Sequence, residues 1–196
     1  MSKARRSGLL LLIAACVTAC ATRPPAHVPV ALHEPAIPYA VPLCDDEFRS
    51  VLQGYNSSYS HHGREAYAID IALPLGTPVC AARSGLVIEA KGDSDRGGPS
   101  SRFAEAANLL RIRHRDGTIA SYLHFEKDGV LPVEGDCVRR GQLIGRAGNT
   151  GWSTEPHLHF MVQARVENAG LWSVPVTMMT SAGLRNEYPP GLFLKR

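Results

Sequence analysis

The chain has 196 residues and a mass of 21.2 kDa, enough for one ordinary domain with extensions but not for two full domains. Hydrophobic residues make up 44% and charged residues 20%, which excludes wholesale disorder and a polytopic membrane protein. The net charge of +3 comes from three basic residues near the start, and the rest carries 18 basic and 18 acidic side chains. This balance argues against a nucleic-acid partner, because binding to a phosphate backbone needs a basic surplus.

Residues 1–19 have the layout of a secretory signal peptide: a basic start, an apolar stretch and then small residues. The apolar stretch is too short to span a membrane, which needs roughly 20 residues. Residues 17–20, Val-Thr-Ala-Cys, resemble the bacterial lipobox, in which the cysteine is lipidated and becomes the new N-terminus. Cys16 ends a second match, but Cys20 leaves the longer apolar stretch and is the preferred lipidation site. An ordinary signal peptide is the alternative.

Residues 20–38 are expected to form a lipid-anchored, proline-rich linker, followed by a single domain at residues 39–196. Proline cannot sustain a helix or a central strand, so this linker should be extended at about 3 Å per residue. The lipobox resemblance implies an acyl anchor in a bacterial envelope membrane. Ala21 directly after the lipidated cysteine implies the outer membrane, with the domain facing the periplasm.

Short apolar runs separated by Gly, Pro or Asp-Gly fill the domain. This spacing predicts a mainly β fold, an antiparallel sheet or sandwich with little helix, and not βαβ units. Asp116 and Gly117 predict a hairpin turn. Residues 102–110 are the one stretch that fits a helical turn, and residues 92–101 form a polar loop that we interpret as a flap.

A weak internal repeat relates residues 76–79 and 84–87 to residues 135–138 and 141–144. Two similar β-units would suit a duplicated, sandwich-like barrel.

The domain also contains Cys44, Cys80 and Cys137. Their spacing has no metal-binding form, and the sequence leaves their pairing open.

A pair of histidines carries the clearest chemical signal. His157 and His159 lie in an apolar run that reads as a strand, and since side chains alternate along a strand, both project to the same face. Asp70 lies within another apolar run. Burying its charge without a partner would cost free energy, so we expect a cation beside it. Zinc at a catalytic site takes three protein ligands from His, Asp and Glu, so His61 or His62 could complete the set. His114, at the end of a predicted strand, is expected to lie at the rim of the sheet and not in the site.

These residues stand in motifs that resemble the lysostaphin-type (LytM-type) zinc peptidases, over residues 39–176. The motifs are Ser60-His61-His62-Gly63, Tyr67-Ala68-Ile69-Asp70, Pro74-Leu75-Gly76-Thr77-Pro78-Val79, Tyr122-Leu123-His124, Gly148-Asn149-Thr150-Gly151 and His157-Leu158-His159-Phe160. The resemblance implies a duplicated hybrid β motif and a zinc ion held by His61, Asp70 and His159. It also implies that His124 and His157 handle the protons of the reaction.

Two departures from the family pattern stand out. The family usually places the first histidine closer to the aspartate, whereas here His61 precedes Asp70 by nine residues. We interpret this as a longer loop between ligands, with the His-x-Gly pattern selecting His61 over His62. Glu155 stands where the family more often has glycine, and it adds a negative charge near the pocket.

The expected function is hydrolysis of peptide cross-links in bacterial peptidoglycan by a zinc endopeptidase, through a metal-activated water with histidine acid/base assistance. Peptidoglycan stem peptides are the expected substrate. The alternative is a non-catalytic module that binds peptidoglycan or activates a cell-wall amidase. Degenerate relatives of that kind lose ligand or catalytic histidines, and all of these positions are filled here. We expect a monomer, with an envelope protein as a further candidate partner.

Overall fold

The computed structural model describes residues 37–196, so the predicted signal peptide, Cys20 and nearly all of the 20–38 linker lie outside the described residues. Within the described part, no helix is long and apolar enough to cross a bilayer. This part contains seventeen strands. They are Tyr39–Ala40 (β1), Arg49–Gln53 (β2), Ile69–Ala72 (β3), Pro78–Cys80 (β4), Gly85–Lys91 (β5), Gly97–Gly98 (β6), Leu109–Arg113 (β7), Ile119–Leu123 (β8), Phe125–Val130 (β9), Cys137–Val138 (β10), Leu143–Ala147 (β11), Gly151–Trp152 (β12), His157–Val166 (β13), Gly170–Val174 (β14), Met178–Thr180 (β15), Gly183–Arg185 (β16) and Phe193–Leu194 (β17).

The largest sheet has nine antiparallel strands in the order β10-β5-β7-β8-β13-β3-β2-β17, with β14 beside β13. Smaller sheets join β4, β11 and β9, and β1, β15 and β16, while β6 pairs with β12. The helices of residues 37–196 are two short 3-10 helices, Gly63–Glu65 and Ser101–Ala106. The prediction of a mainly β, antiparallel fold with little helix is confirmed.

The weak internal repeat of the sequence appears as reciprocal strand pairing. The first unit contributes β4 and β5, and the second contributes β10 and β11. Each strand pairs with the non-equivalent strand of the other unit, β4 with β11 and β5 with β10. Gly76 and Gly135 open the two units with φ of 76° and 96°, a backbone conformation that favours glycine.

The predicted hairpin is confirmed, because β7 and β8 pair from Leu109 opposite Leu123 to Arg113 opposite Ile119. The predicted helical turn over residues 102–110 is correct only in its first part. It ends at Ala106, and Leu109 already begins β7. The alternating burial along β7 has the period of a strand, and pairing on both edges overrides the local helical preference.

The core fills the space behind the large sheet with aromatic and aliphatic side chains. Tyr122 and Phe160 lie in contact at its centre, with ring centroids 5.1 Å apart, and both side chains are fully buried. A disulfide joins Cys44 to Cys80 at the end of β4 and closes a loop over a separation of 36 residues. In the chain-entropy model such a loop closure is worth about 4 kcal/mol, and the bond ties the segment between β1 and β2 to β4.

The interpretation of His114 as a rim residue is wrong. Its side chain is 2% exposed, its Nδ1 donates a hydrogen bond to the Ser84 carbonyl at 2.9 Å, and its ring packs edge-on against Tyr39. Burial lowers the pKa of His114 to about 4. This burial is not apparent from the local sequence, because Tyr39 comes from the distant strand β1.

We expect the protonation of His114 to lower the free energy of unfolding by about 3 kcal/mol as the pH falls from 7 to 4. The unfolded chain takes up this proton near pH 6.5, whereas the folded chain does so only near pH 4. The stabilisation is therefore complete above pH 6.5 and is lost as the pH falls to about 4. Urea unfolding of the wild type and His114→Gln over this range measures the effect. An equally steep pH dependence in His114→Gln would contradict it.

Candidate metal centre and catalytic histidines

Three adjacent strands bring most of the predicted site residues together. Strand β13 lies between β3 and β8, so His159 stands opposite Asp70 on one side and Leu123 on the other. His124 follows Leu123 directly, and His157 lies two residues before His159 on the same face. His61 enters from the loop after β2. All five side chains are buried.

His61, Asp70 and His159 form a group whose ligand atoms all lie within 4.8 Å of one another. Asp70 Oδ1 lies 3.2 Å from His61 Nε2 and 2.8 Å from His159 Nδ1. His62 is exposed to solvent. The structure therefore brings His61 into this group and leaves His62 outside, while the ligand roles themselves stay predictions.

The residues of this group fit a metal ion. The Nδ1 of His61 must donate to the Gly54 carbonyl at 2.9 Å, because a carbonyl only accepts. In the neutral ring, Nε2 is then a lone pair that faces a carboxylate oxygen, and it has no hydrogen-bond partner among residues 37–196. Two electron-rich atoms this close repel each other unless a cation lies between them. Two imidazoles and one carboxylate are a donor set typical of catalytic zinc.

The charge state of Asp70 suits metal binding. Burial by itself would raise the pKa of this carboxyl group, but the hydrogen bond and the favourable charge interaction with His159 hold it well below its usual value. For His159, burial by itself would lower the pKa, but the hydrogen bond and the negative charge of Asp70 raise it above its usual value. Asp70 is therefore ionised, as a metal ligand must be.

His124 and His157 form a second pair, with ring centroids 4.5 Å apart. The Nδ1 of His124 donates to the Thr150 carbonyl at 2.6 Å, and the Nδ1 of His157 donates to the Glu155 carbonyl at 2.8 Å. Each ring therefore keeps Nε2 as a lone pair when neutral. Burial, with the neighbouring histidines, lowers the pKa of His124 to about 3, and burial lowers the pKa of His157. Both rings are neutral near pH 7.

His124 adopts a backbone conformation that is unusual for its residue type, with φ of 70°. Its N–H donates to the carbonyl of the fully buried Asn108, whose side-chain amide donates to the carbonyls of Phe125 and Glu126. Thr150 Oγ1 also donates to the Phe125 carbonyl. These bonds hold the strained turn that presents the imidazole, as is common at functional sites.

Sequence reasoning missed Asn108 and also missed two residues at the end of β2. Gln53 Nε2 donates to Asp70 Oδ2 at 2.7 Å, and Gly54 supplies the carbonyl that orients His61. A Cβ on Gly54 would lie 1.8 Å from the Tyr188 carbonyl oxygen, so only glycine fits there. The available signals were a lone asparagine before an apolar strand and a Gln-Gly pair at the end of a strand.

The rim of the site contains a pair of aromatic rings. Trp152 lies 6.0 Å from the half-exposed ring of Tyr59, measured between centroids. Tyr122 is buried in the core instead, and Tyr55 packs against Tyr67. Glu155 is exposed beside the pocket.

The loop of residues 92–101 is joined by hydrogen bonds to the segment that leads into β13 and His157. The Arg96 and Gly98 carbonyls accept hydrogen bonds from the N–H groups of Gly151 and Ser153. Strand β6 pairs in parallel with β12. This loop therefore forms one wall beside the site.

The described residues thus combine an antiparallel β fold with a buried His-Asp-His group that could hold a metal ion and two further buried histidines. Residues 64–170, more than half of the chain, match the family described as Peptidase family M23. The chain belongs to this family, and the resemblance to lysostaphin-type peptidases is confirmed.

The chain is similar to lysostaphin from Staphylococcus simulans, with 34% identity over 67% of this chain and 26% of lysostaphin. It is also similar to the peptidoglycan DD-endopeptidase ShyA of Vibrio cholerae, with 36% identity over 55% of this chain and 23% of ShyA. The match thus spans about a quarter of each relative. A chain of the SpoIIQ-SpoIIIAH pore-forming complex shares the fold, with a TM-score of 0.50 at 24% identity, over 69% of this chain and 87% of that chain.

Proposed function

We propose that this protein is a zinc-dependent endopeptidase that hydrolyses the peptide cross-links of bacterial peptidoglycan. The observation that carries the proposal is the buried lone pair of His61 Nε2, which lies 3.2 Å from Asp70 Oδ1 and needs a cation between the two atoms. His159 completes a donor set that zinc favours. The similarity to a named peptidoglycan DD-endopeptidase supports the choice of substrate.

His61, Asp70 and His159 would hold the metal. When bound, zinc would polarise the scissile carbonyl and lower the pKa of the attacking water. The protein's own contribution begins with the orientation of these ligands: the Gly54 carbonyl fixes the tautomer of His61, and the Gln53 amide holds Asp70 Oδ2. Such outer contacts raise ligand basicity and keep the site ready for the metal.

His124 and His157 supply the proton transfers. Each ring is neutral and has its Nδ1 hydrogen on a backbone carbonyl, so Nε2 can accept the proton of the attacking water. The resulting imidazolium can donate that proton to the leaving amine. Its positive charge also stabilises the oxyanion that develops on the scissile carbonyl.

The N-terminal residues give the enzyme a proposed location in the cell envelope. The lipobox-like residues 17–20 support lipidation at Cys20 and an anchor in the bacterial envelope, with the outer membrane favoured and the domain facing the periplasm. The proline-rich linker would then limit the reach of a monomeric enzyme to stem peptides near its membrane.

A digest of purified peptidoglycan with the full chain tests the proposal. Digests with His159→Ala and with a chelator added serve as controls, and mass spectrometry identifies the released fragments. We expect cross-linked peptides to disappear and new free amines to appear only with the metal-loaded wild type. Release of whole stem peptides from the sugar would instead indicate an amidase. No metal-dependent product, with the protein still pelleting with the wall, would indicate a binding or activating module.

A further inference from the structure

The end of β2 contacts two of the three candidate ligands through consecutive residues. Gly54 holds His61 through its carbonyl, and Gln53 reaches Asp70 through its side chain. Gln53 belongs to no motif of the resemblance and is not one of the candidate ligands or proton carriers. Its side-chain amide nevertheless makes three hydrogen bonds, one of them to the Asp70 carboxylate.

The orientation of the Gln53 amide follows from its partners. The amide nitrogen faces Asp70 Oδ2 at 2.7 Å and donates to it, because a carboxylate oxygen accepts hydrogen bonds. The same nitrogen donates to Ser60 Oγ at 3.1 Å. The amide oxygen therefore faces Ser57, whose hydroxyl donates to it at 2.8 Å. Each hydrogen bond is consistent with the others, so the amide has one orientation.

A β-bulge places Gln53 beside Asp70. Val51 on β2 stands opposite Ile71 on β3, and a regular antiparallel register would then put Leu52 opposite Asp70. The register shifts between Val51 and Gln53, so Gln53 stands opposite Asp70 instead. Directly opposite residues point to the same face, and bulges next to active sites commonly redirect a side chain in this way.

The contacts of Gln53 also reach the loop that leads to His61. Ser57 and Ser60 lie in the segment between β2 and His61, and both bond to the Gln53 amide. Oδ2 of Asp70 is thereby occupied, while Oδ1 faces His61 and His159. One side chain thus sets the rotation of the carboxylate and ties it to the loop carrying another ligand.

We infer that Gln53 is a positioning residue that fixes the Asp70 carboxylate for metal binding. The inference rests on the proposed function, since it assigns Asp70 as a ligand. Removal of an outer-shell partner of a metal ligand typically weakens metal affinity by about 10- to 100-fold. Because Gln53 acts through Asp70, the effect should appear in the affinity for the metal and in the geometry around it.

Zinc affinity of the full chain, measured by competition with a chromogenic chelator, tests the inference. We expect Gln53→Ala and Gln53→Met to bind zinc about 10- to 100-fold more weakly than the wild type, and Ser57→Ala to lose less. Gln53→Met retains the size of the side chain without its hydrogen bonds. Gln142→Ala is the matched control, because Gln142 accepts one hydrogen bond from the Arg139 N–H at a turn away from the site. It should bind zinc like the wild type.

Two further measurements separate positioning from a general loss of structure. The visible absorption of the cobalt-substituted protein should change in Gln53→Met, because it reports the ligand geometry, while urea unfolding of the metal-free variant should remain a single cooperative transition. Wild-type zinc affinity together with a wild-type cobalt spectrum in both Gln53 variants would overturn the inference. A wild-type chain that binds no zinc would instead overturn the proposed function.

Discussion

Replacement of Asp70 by alanine is expected to abolish zinc binding and hydrolysis together. Asp70 Oδ1 lies within 3.2 Å of ring nitrogens from both His61 and His159. Among the three candidate ligands found in the described residues, Asp70 is the one carboxylate, so its removal takes away the negative charge of the group. Two neutral imidazoles alone leave the ion with too few ligands and an uncompensated charge. Metal analysis of the purified variant gives the stoichiometry, and the peptidoglycan digest gives the activity.

Two variants make this experiment specific. Asp70→Asn retains the size of the side chain and removes its charge, so it should also bind zinc much more weakly than the wild type. Asp116→Ala removes a carboxylate that pairs with Arg83 away from the site, and it should retain full zinc. Full zinc stoichiometry in Asp70→Ala would contradict the assignment of Asp70 as a zinc ligand.

The site was largely predictable because its residues lie in patterns with a geometric meaning. His157 and His159 share a face because strand side chains alternate, and Asp70 stood out as a charge within an apolar run. Gln53 was not predictable, because only a bulge in β2 brings it opposite Asp70. Asn108 escaped notice for a related reason: it acts on His124 through backbone contacts between strands that the sequence alone does not align.

The fold shows the same division between local pattern and long-range contact. The hairpin at Asp116 and the reciprocal pairing of β4, β5, β10 and β11 follow from turn residues and a repeat visible in the sequence. The parallel pairings of β1 with β15 and β6 with β12 were not predictable, because two-residue strands carry no period. The choice of Cys44 and Cys80 as a disulfide pair likewise depends on a contact made only in the folded chain.

Replacement of His157 by alanine is expected to separate metal binding from turnover. His157 does not belong to the group of close ligand atoms, and its Nε2 lies 3.7 Å from Asp70 Oδ1. The variant should therefore retain most of its zinc. Loss of a general acid or base costs about 10²- to 10⁴-fold in rate, so the cleavage of cross-links should fall by that factor. Zinc analysis and initial rates on one preparation measure both effects.

His124→Ala provides the companion to this measurement, since the two rings lie 4.5 Å apart and share the same carbonyl-held tautomer. If the two histidines act as a unit, the double variant should be little slower than the slower of the two single variants, because effects of cooperating catalytic groups are not additive. His114→Gln, a change at a buried histidine outside this cluster, should keep both zinc and rate. Loss of zinc in His157→Ala would make His157 a ligand, and the assignment of proton transfer to this pair would then fail.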